Sequence, residues 1–197
     1  MEHYFTPGPT SRHDPRRIHY RYRGADLVFL TDAGVFSRNK IDRGTDLLLE
    51  AVHVAAGESF LDLGCGYGVV GIAVAATNPE VSVTMVDVNE RACELARVNA
   101  RLNLVPGVSV VCGDGLGVFG DLKFDCIATN PPIRAGKTVV HRLITEARDH
   151  LNPGGRFYLV VRTKQGARSV RAFVEASFGE TDEPEIGGGY RVIRARA

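Results

Sequence analysis

The chain has 197 residues, 44% of them hydrophobic, and a formal charge of +1. That is enough for one domain with a sizeable core and not comfortably enough for two, and the near-neutral balance excludes a generally adhesive polycation. No apolar run approaches the length of a membrane span, no basic segment leads into an apolar core at the N-terminus, and the four cysteines (Cys65, Cys93, Cys112, Cys126) form no CxxC pair, so free buried thiols in a reducing cytoplasm are expected.

Residues 1–15 carry three prolines and read as an irregular leader. Arg16 to Arg23 and Asp26 to Leu30 flank Gly24-Ala25 and predict a β-hairpin, with Arg17, His19, Arg21 and Arg23 alternating against Ile18, Tyr20 and Tyr22. Residues 1–43 hold eight Lys or Arg against five Asp or Glu, so this part is locally positive. It is either a solvated face or a footprint for nucleic acid. Asp42 then caps a helix with Leu47, Leu48, Ala51 and Val52 at helical spacing.

Phe60 to Gly71 organises the rest of the chain. Phe60, Leu61 and Leu63 predict a buried strand that ends at Gly64. Gly64, Gly66 and Gly68 predict a tight loop, and Val69, Val70, Ile72, Ala73 and Ala76 predict a helix whose N-terminal N–H groups face a ligand. The loop fits two frames. Gly66-x-Gly68-x-x-Gly71 with Asp87 downstream is a dinucleotide fingerprint. Asp62-x-Gly64-x-Gly66-x-Gly68 instead resembles the nucleoside loop of class I S-adenosylmethionine methyltransferases.

Downstream, a strand from Val81 ends at Asp87, an acid placed to accept from both hydroxyls of a ribose. Asn89 caps a helix through Ala92, Ala96 and Leu102, with Glu94 and Arg97 expected to pair on its outer side. Strands follow at Val108 to Cys112, before Gly113-Asp114, and at Phe124 to Thr129, before Asn130-Pro131-Pro132-Ile133. A helix from about Val139 to His150, a strand from Phe157 to Val161, a helix from about Ala167 to Phe178 and two strands around Gly187 to Gly189 complete the pattern. The alternation predicts an α/β, Rossmann-like, doubly wound seven-stranded sheet, mostly parallel with an antiparallel last strand, plus the N-terminal hairpin. A single domain is expected over 1–197, with leader and hairpin in 1–43 and the core in 44–197. Ligands of such sheets lie beyond the carboxyl ends of the strands, where Gly64 to Gly68, Asp87, Asp114 and Asn130 converge.

Asn130-Pro131-Pro132-Ile133 carries the chemistry. The prolines remove two backbone donors, so the turn presents acceptors suited to an –NH₂ group whose lone pair must be turned out of its π system before it can attack. A base amine and a side-chain amide both meet that description.

Together with Gly34-Val35-Phe36-Ser37, Asp42-x-Gly44-Thr45, Thr163-Lys164-Gln165-Gly166 and Gly188-Gly189-Tyr190-Arg191-Val192, and with His3-Tyr4-Phe5 at the N-terminus, these motifs resemble small RsmC-like class I methyltransferases that modify exocyclic amines in ribosomal RNA. The likeness is to stand-alone members of archaeal type. It implies S-adenosylmethionine as cofactor and RNA as partner, rRNA rather than tRNA and guanine as the base, with a protein glutamine amide as the alternative acceptor. Outside that class stand a nicotinamide-dependent oxidoreductase, whose hydride-transfer acid or base is missing after the fourth strand, and a non-catalytic RNA-binding module. By motif, Asp62, Gly64, Gly66 and Gly68 would hold the methionine end, Asp87 the ribose and Asp114 the adenine amine, with Cys65, Val88 and Gly115 beside them. Phe36 and Ser37 would close over the cofactor. Asn130 touches both cofactor and target, and Asn130, Pro131, Pro132 and Ile133 form the catalytic set, Ile133 departing from the aromatic residue common there. His141 and Arg142 are expected as ordinary helix surface, with contact to substrate phosphate as the alternative, and Arg162, Lys164, Arg168 and Arg171 as solvated charge or an extension of a basic surface. No histidine has metal-ligand spacing, so no metal is expected. A monomer or a dimer is expected.

Overall fold

A computed structural model describes Gly8 and residues 11–197, so the His3-Tyr4-Phe5 motif lies outside the described residues. The hairpin forms from β1 (Arg16–Tyr22) and β2 (Ala25–Thr31), paired antiparallel with Ile18 opposite Phe29. Ile18 and Tyr22 are buried while Arg17, His19 and Arg21 are exposed, as the alternation requires. Arg23 departs from that expectation. It sits in the turn at φ 45° with its guanidinium over the Tyr22 ring, because a two-residue connection between twisted strands needs positive φ.

The core sheet runs in the order β5 (Ser109–Cys112), β4 (Ser82–Asp87), β3 (Ser59–Leu63), β6 (Phe124–Thr129), β7 (Leu151–Arg162), β9 (Tyr190–Arg196), β8 (Thr181–Gly187). β5, β4, β3, β6 and β7 are parallel, and β9 enters antiparallel between β7 and the edge strand β8. Successive residues of β3 feed opposite faces: Phe60 joins the core under α1 (Arg43–Ala51), α2 (Val69–Thr77) and α3 (Glu90–Leu102), while Leu61 and Leu63 join the core under α4 (Lys137–Asp149) and α5 (Ala167–Phe178). The sheet is therefore covered on both sides, as predicted. β7 is longer than expected because its pairing with β6 jumps from Leu151 to Arg156, so residues 152–155 bulge from a strand that began earlier.

The hairpin is joined to the core by an arrangement that periodicity does not announce. Asn99 on α3 and Asn103 at its C-terminal cap, one turn apart, each offer a side-chain carbonyl to a β2 N–H (Leu30 at 2.7 Å, Val28 at 2.8 Å) and an amide N–H to the carbonyl of the same residue. The two amides stand in for a neighbouring strand along the edge of β2. Two smaller expectations fail. Cys112 is exposed rather than buried, because β5 is an edge strand; Cys65, Cys93 and Cys126 are buried. Arg97 donates to the Val110 carbonyl at 3.0 Å instead of pairing with Glu94.

Candidate active site

Two cavities meet at the carboxyl ends of the parallel strands. The first, about 410 Å³, is lined by Phe36, Ser37, Asp62, Gly64, Cys65, Gly66, Tyr67, Asp87, Val88, Asp114, Gly115, Asn130, Pro131 and Pro132, among others. The second, about 310 Å³, adds Ile133, Arg134, Arg162, Gln165 and Tyr190. Phe36, Ser37, Asp42, Asn130 and Pro131 line both, so they form the wall between the two spaces.

The glycine loop resolves its own ambiguity. Gly64 and Gly66 hold φ of 73° and 55°, and a Cβ built at either meets no protein atom within 4 Å. Gly68 stands behind the cavity rather than in its wall: it begins α2 in the left-handed region, and a Cβ there would press on Ile72, Met85 and Ala96. Gly71 is required by packing, since its Cβ would fall 2.5 Å from the Met85 sulfur. Its N–H donates to Asp62 Oδ2 at 2.8 Å. A buried carboxyl thus occupies the N-terminus of α2, where a dinucleotide would bring its pyrophosphate. The frame that begins at Asp62 is the one that the geometry accommodates.

Asp62 and Asp87 give this end its character. Burial pushes the Asp62 carboxyl up to about 7, the Gly71 N–H opposing and the charge of Asp87 adding to the shift. Asp87 is raised by burial as well, against hydrogen bonds from the backbone of Asn89 (2.9 Å) and Gly66 (2.8 Å). Each carboxylate keeps acceptor capacity beyond these bonds, and a buried acid beside a half-buried one favours a ligand that carries positive charge and hydroxyl donors. Cys65 is no nucleophile here: burial raises its thiol well above the ordinary range.

The loop before α1 closes one side of the cavity. Asn89 caps α3 and also donates to the Gly34 carbonyl at 2.9 Å, Arg91 donates to Ala33 at 2.7 Å, and the Tyr67 hydroxyl donates to Ser37 at 3.3 Å. Phe36 and Ser37 are held over the glycine loop by these three side chains, and Ser37 adopts φ 54° to make the turn. Asp114 lies at the far wall in an ion pair with Arg142 (2.6 Å), which also reaches Glu146 (2.9 Å). Arg142 therefore belongs to the first cavity, which its place in a helix pattern did not indicate. His141 points elsewhere and stacks on Phe173.

At Asn130 the acceptor cluster is narrower than two prolines suggest. Pro132 has φ −74° and ψ 77°, an inverse γ-turn in which the Pro131 carbonyl accepts from Ile133 N–H at 2.8 Å; the Pro132 carbonyl accepts from Ala135 at 2.8 Å. One lone pair of each is thereby used. The Asn130 side chain is oriented by groups that lie far off in sequence: its Nδ2 donates to Thr45 Oγ1 at 3.1 Å and reaches Asp42 Oδ2 at 3.5 Å. With the amide nitrogen turned to α1, the Oδ1 carbonyl is the end left for the cavities. Ile133 lines only the second cavity, as an apolar wall.

Among the described residues no group of His, Cys, Asp and Glu is arranged to hold a metal, and no helix is long and apolar enough to cross a membrane. The profile of the "Methyltransferase small domain" family matches residues 26–194. The uncharacterized protein YbxB of Bacillus subtilis is 36% identical over 197 residues, covering 99% of this chain and 98% of that protein. The ribosomal RNA large subunit methyltransferase G of Streptomyces avermitilis is 35% identical over 79% of this chain, and the ribosomal RNA small subunit methyltransferase C of Haemophilus influenzae is 39% identical over 70%. The chain spans less than half of each of those two, 44% and 42%. Among solved structures, the 16S rRNA N2 methyltransferase RsmC of T. thermophilus, in complex with AdoMet and guanosine, superposes with a TM-score of 0.84 at 27% identity over 95% of this chain and 52% of that one.

Proposed function

The chain belongs to the methyltransferase small domain family, and from that membership and the site we infer an S-adenosylmethionine-dependent methyltransferase acting on an exocyclic amine of RNA, with guanine in ribosomal RNA as the acceptor. The observation that carries the reading is the position of Asn130 in the wall shared by the two cavities, its amide nitrogen tied to Thr45 and Asp42. A carbonyl so fixed accepts from an amine on the second side and aims its lone pair at the first. Relatives that methylate ribosomal RNA, and a similar structure that binds guanosine, support the choice of acceptor.

The cofactor supplies a methyl group made electrophilic by its sulfonium. The residues present suit it: Gly64 and Gly66 leave room for backbone approach, Asp62 would meet the ammonium of the amino-acid end, Asp87 the ribose hydroxyls, and Phe36 and Ser37 would exclude water from above. Asp114, held by Arg142, would accept from the adenine amine along its remaining lone pairs. Asn130 would orient the target nitrogen, Ile133 would offer an apolar surface to the base, and the one proton that the amine loses on methylation would pass to solvent. Positioning and electrostatics supply the acceleration without a strong base.

Incubation with labelled cofactor and unmodified rRNA, tRNA and ribosomal protein, followed by digestion and mass analysis, tests the reading. Label is expected in rRNA as N2-methylguanosine. Label in glutamine of protein alone would overturn it.

A further inference from the structure

The amide of Asn130 is the end of a chain of hydrogen bonds that is anchored at its other end. Arg162 closes β7 and Tyr190 opens β9, directly opposite one another in register. The Arg162 guanidinium lies over the Tyr190 ring, 5.0 Å from its centre, and its Nε–H donates to the phenol oxygen at 2.7 Å. An arginine can only donate, so the phenol accepts there and directs its own proton onward. That proton goes to Asp42 Oδ1 at 3.1 Å. Asp42 caps α1, taking Gly44 N–H on Oδ2 at 2.9 Å, and the same oxygen faces Asn130 Nδ2. A carboxylate can only accept, so Asn130 must present its NH₂ to Asp42 and Thr45 and its carbonyl to the cavities.

The packing around this chain leaves it little freedom. A Cβ at Gly44 would lie 2.8 Å from both Asp42 Oδ2 and the Tyr190 ring, so glycine is what allows ring, cap and amide to meet. The phenol stays protonated and able to donate, since burial raises it and the carboxylate of Asp42 adds to that shift, with Arg162 opposing. The four groups come from β7, β9, the start of α1 and the end of β6, and span 148 residues between Asp42 and Tyr190.

We propose that Arg162 and Tyr190 hold the Asp42 carboxylate in place and that Asp42 so held fixes which end of the Asn130 amide faces the acceptor, a relay that makes all three positioning residues for methyl transfer. The inference rests on the reading of Asn130 as the group that holds the target amine. It assigns no contact with the reacting atoms to the relay, only control of the Asn130 rotamer.

Two readouts on one set of variants test it. Tyr190→Phe keeps the ring against Gly44 and removes the hydroxyl that accepts from Arg162 and donates to Asp42. In single turnover with bound RNA it should slow transfer about tenfold, on the scale of one hydrogen bond, and Asn130→Ala combined with Tyr190→Phe should be no slower than Asn130→Ala alone. The side-chain ¹⁵N–¹H₂ resonances of Asn130, assigned by their loss in Asn130→Ala, should shift in Tyr190→Phe and, by a smaller amount, in the surface variant Arg162→Gln. Multiplicative rate losses, or Asn130 resonances unmoved in both variants, would overturn the relay. If no RNA amine is methylated by the unmodified chain, the proposed function fails and the Asn130 resonances still decide the relay, because they need no substrate.

Discussion

Apart from the wall that it shares with the second, the first cavity takes most of its polar lining from short contiguous stretches, each lying at the carboxyl end of one parallel strand: Asp62 to Gly66 at the end of β3, Asp87-Val88 at the end of β4, Asp114-Gly115 beyond β5. The second takes its polar groups from Asp42, Asn130, Arg162, Gln165 and Tyr190, brought together by the cap of one helix and by an antiparallel strand inserted at the far side of the sheet. One wall is mainly backbone geometry with the buried Asp62 and the half-buried Asp87. The other is a set of side chains that orient one another. A cofactor common to a whole family is served by the part of the fold that any doubly wound sheet supplies, and the acceptor by what is added around it.

If that division is right, substitutions should separate binding from turnover. Asn130→Ala is expected to have the largest effect: turnover lower by about a hundredfold or more, as for loss of one well-placed polar group in a transition state. Cofactor affinity, read by calorimetry with S-adenosylhomocysteine, should barely change. Asp87→Ala should do the reverse and weaken that affinity about a hundredfold, because it removes the proposed acceptor for the ribose together with the anchors of Gly66 and Asn89 N–H. Equal losses of both quantities in both variants would erase the distinction between the walls.

The acids sharpen it further through pH. The Asp62 carboxyl is raised from 3.8 to about 7 in the free protein, so the folded state holds this proton more tightly than the unfolded chain does. Between those two values the Asp62 contribution to stability falls as pH rises, and above about 7 it falls no further. A cationic ligand end beside Asp62 favours the ionised form, so binding should release a proton. Affinity for S-adenosylhomocysteine should therefore decline by up to about tenfold for each unit of pH below 7. Asp62→Asn should flatten that profile, and an unchanged slope would detach Asp62 from the ligand.

The smallest effect is expected at the hairpin. Replacing Arg17 and Arg21 by Ala should reduce the salt dependence of RNA binding by roughly one and a half to two units of slope, with cofactor affinity intact. Arg23→Ala should contribute less, since its guanidinium is engaged over Tyr22 in the turn. An unaltered slope would return this face to simple solvation.

The same contrast explains what could be read from the chain. The glycine loop, the acid ending β4, the caps Asp42 and Asn89 and the strand–helix alternation are local: each depends on neighbours within a turn or a strand, so residue type and spacing carry the signal. Thr45 as a partner of Asn130, and Tyr190 and Arg162 behind Asp42, are not legible in the chain, because nothing within a few residues of any of them points to the others. Only the register of β7 against β9 brings Arg162 to Tyr190. Asn99 and Asn103 look like weak helix formers, and their use as a surrogate strand edge depends on where β2 docks. Arg142 looked like surface for the same reason, its partner Asp114 lying 28 residues away. The double proline misled in the other direction. It promised more free acceptors than the γ-turn leaves, which shifts the weight of the chemistry onto the Asn130 side chain.

Asn130→Asp, followed as single-turnover rate against pH on the RNA that the unmodified chain methylates, tests the central claim most directly. The variant keeps an acceptor oxygen for the amine but sets a second carboxylate where Nδ2 met Asp42, so the pair should share a proton with a raised apparent pKa. The account predicts partial activity that is greatest at low pH, where that proton restores the hydrogen bond to Asp42, and is lost as pH rises through the pair's titration, against almost none in Asn130→Ala at any pH. Full activity in Asn130→Ala, or an Asn130→Asp profile that parallels the unmodified chain, would contradict it.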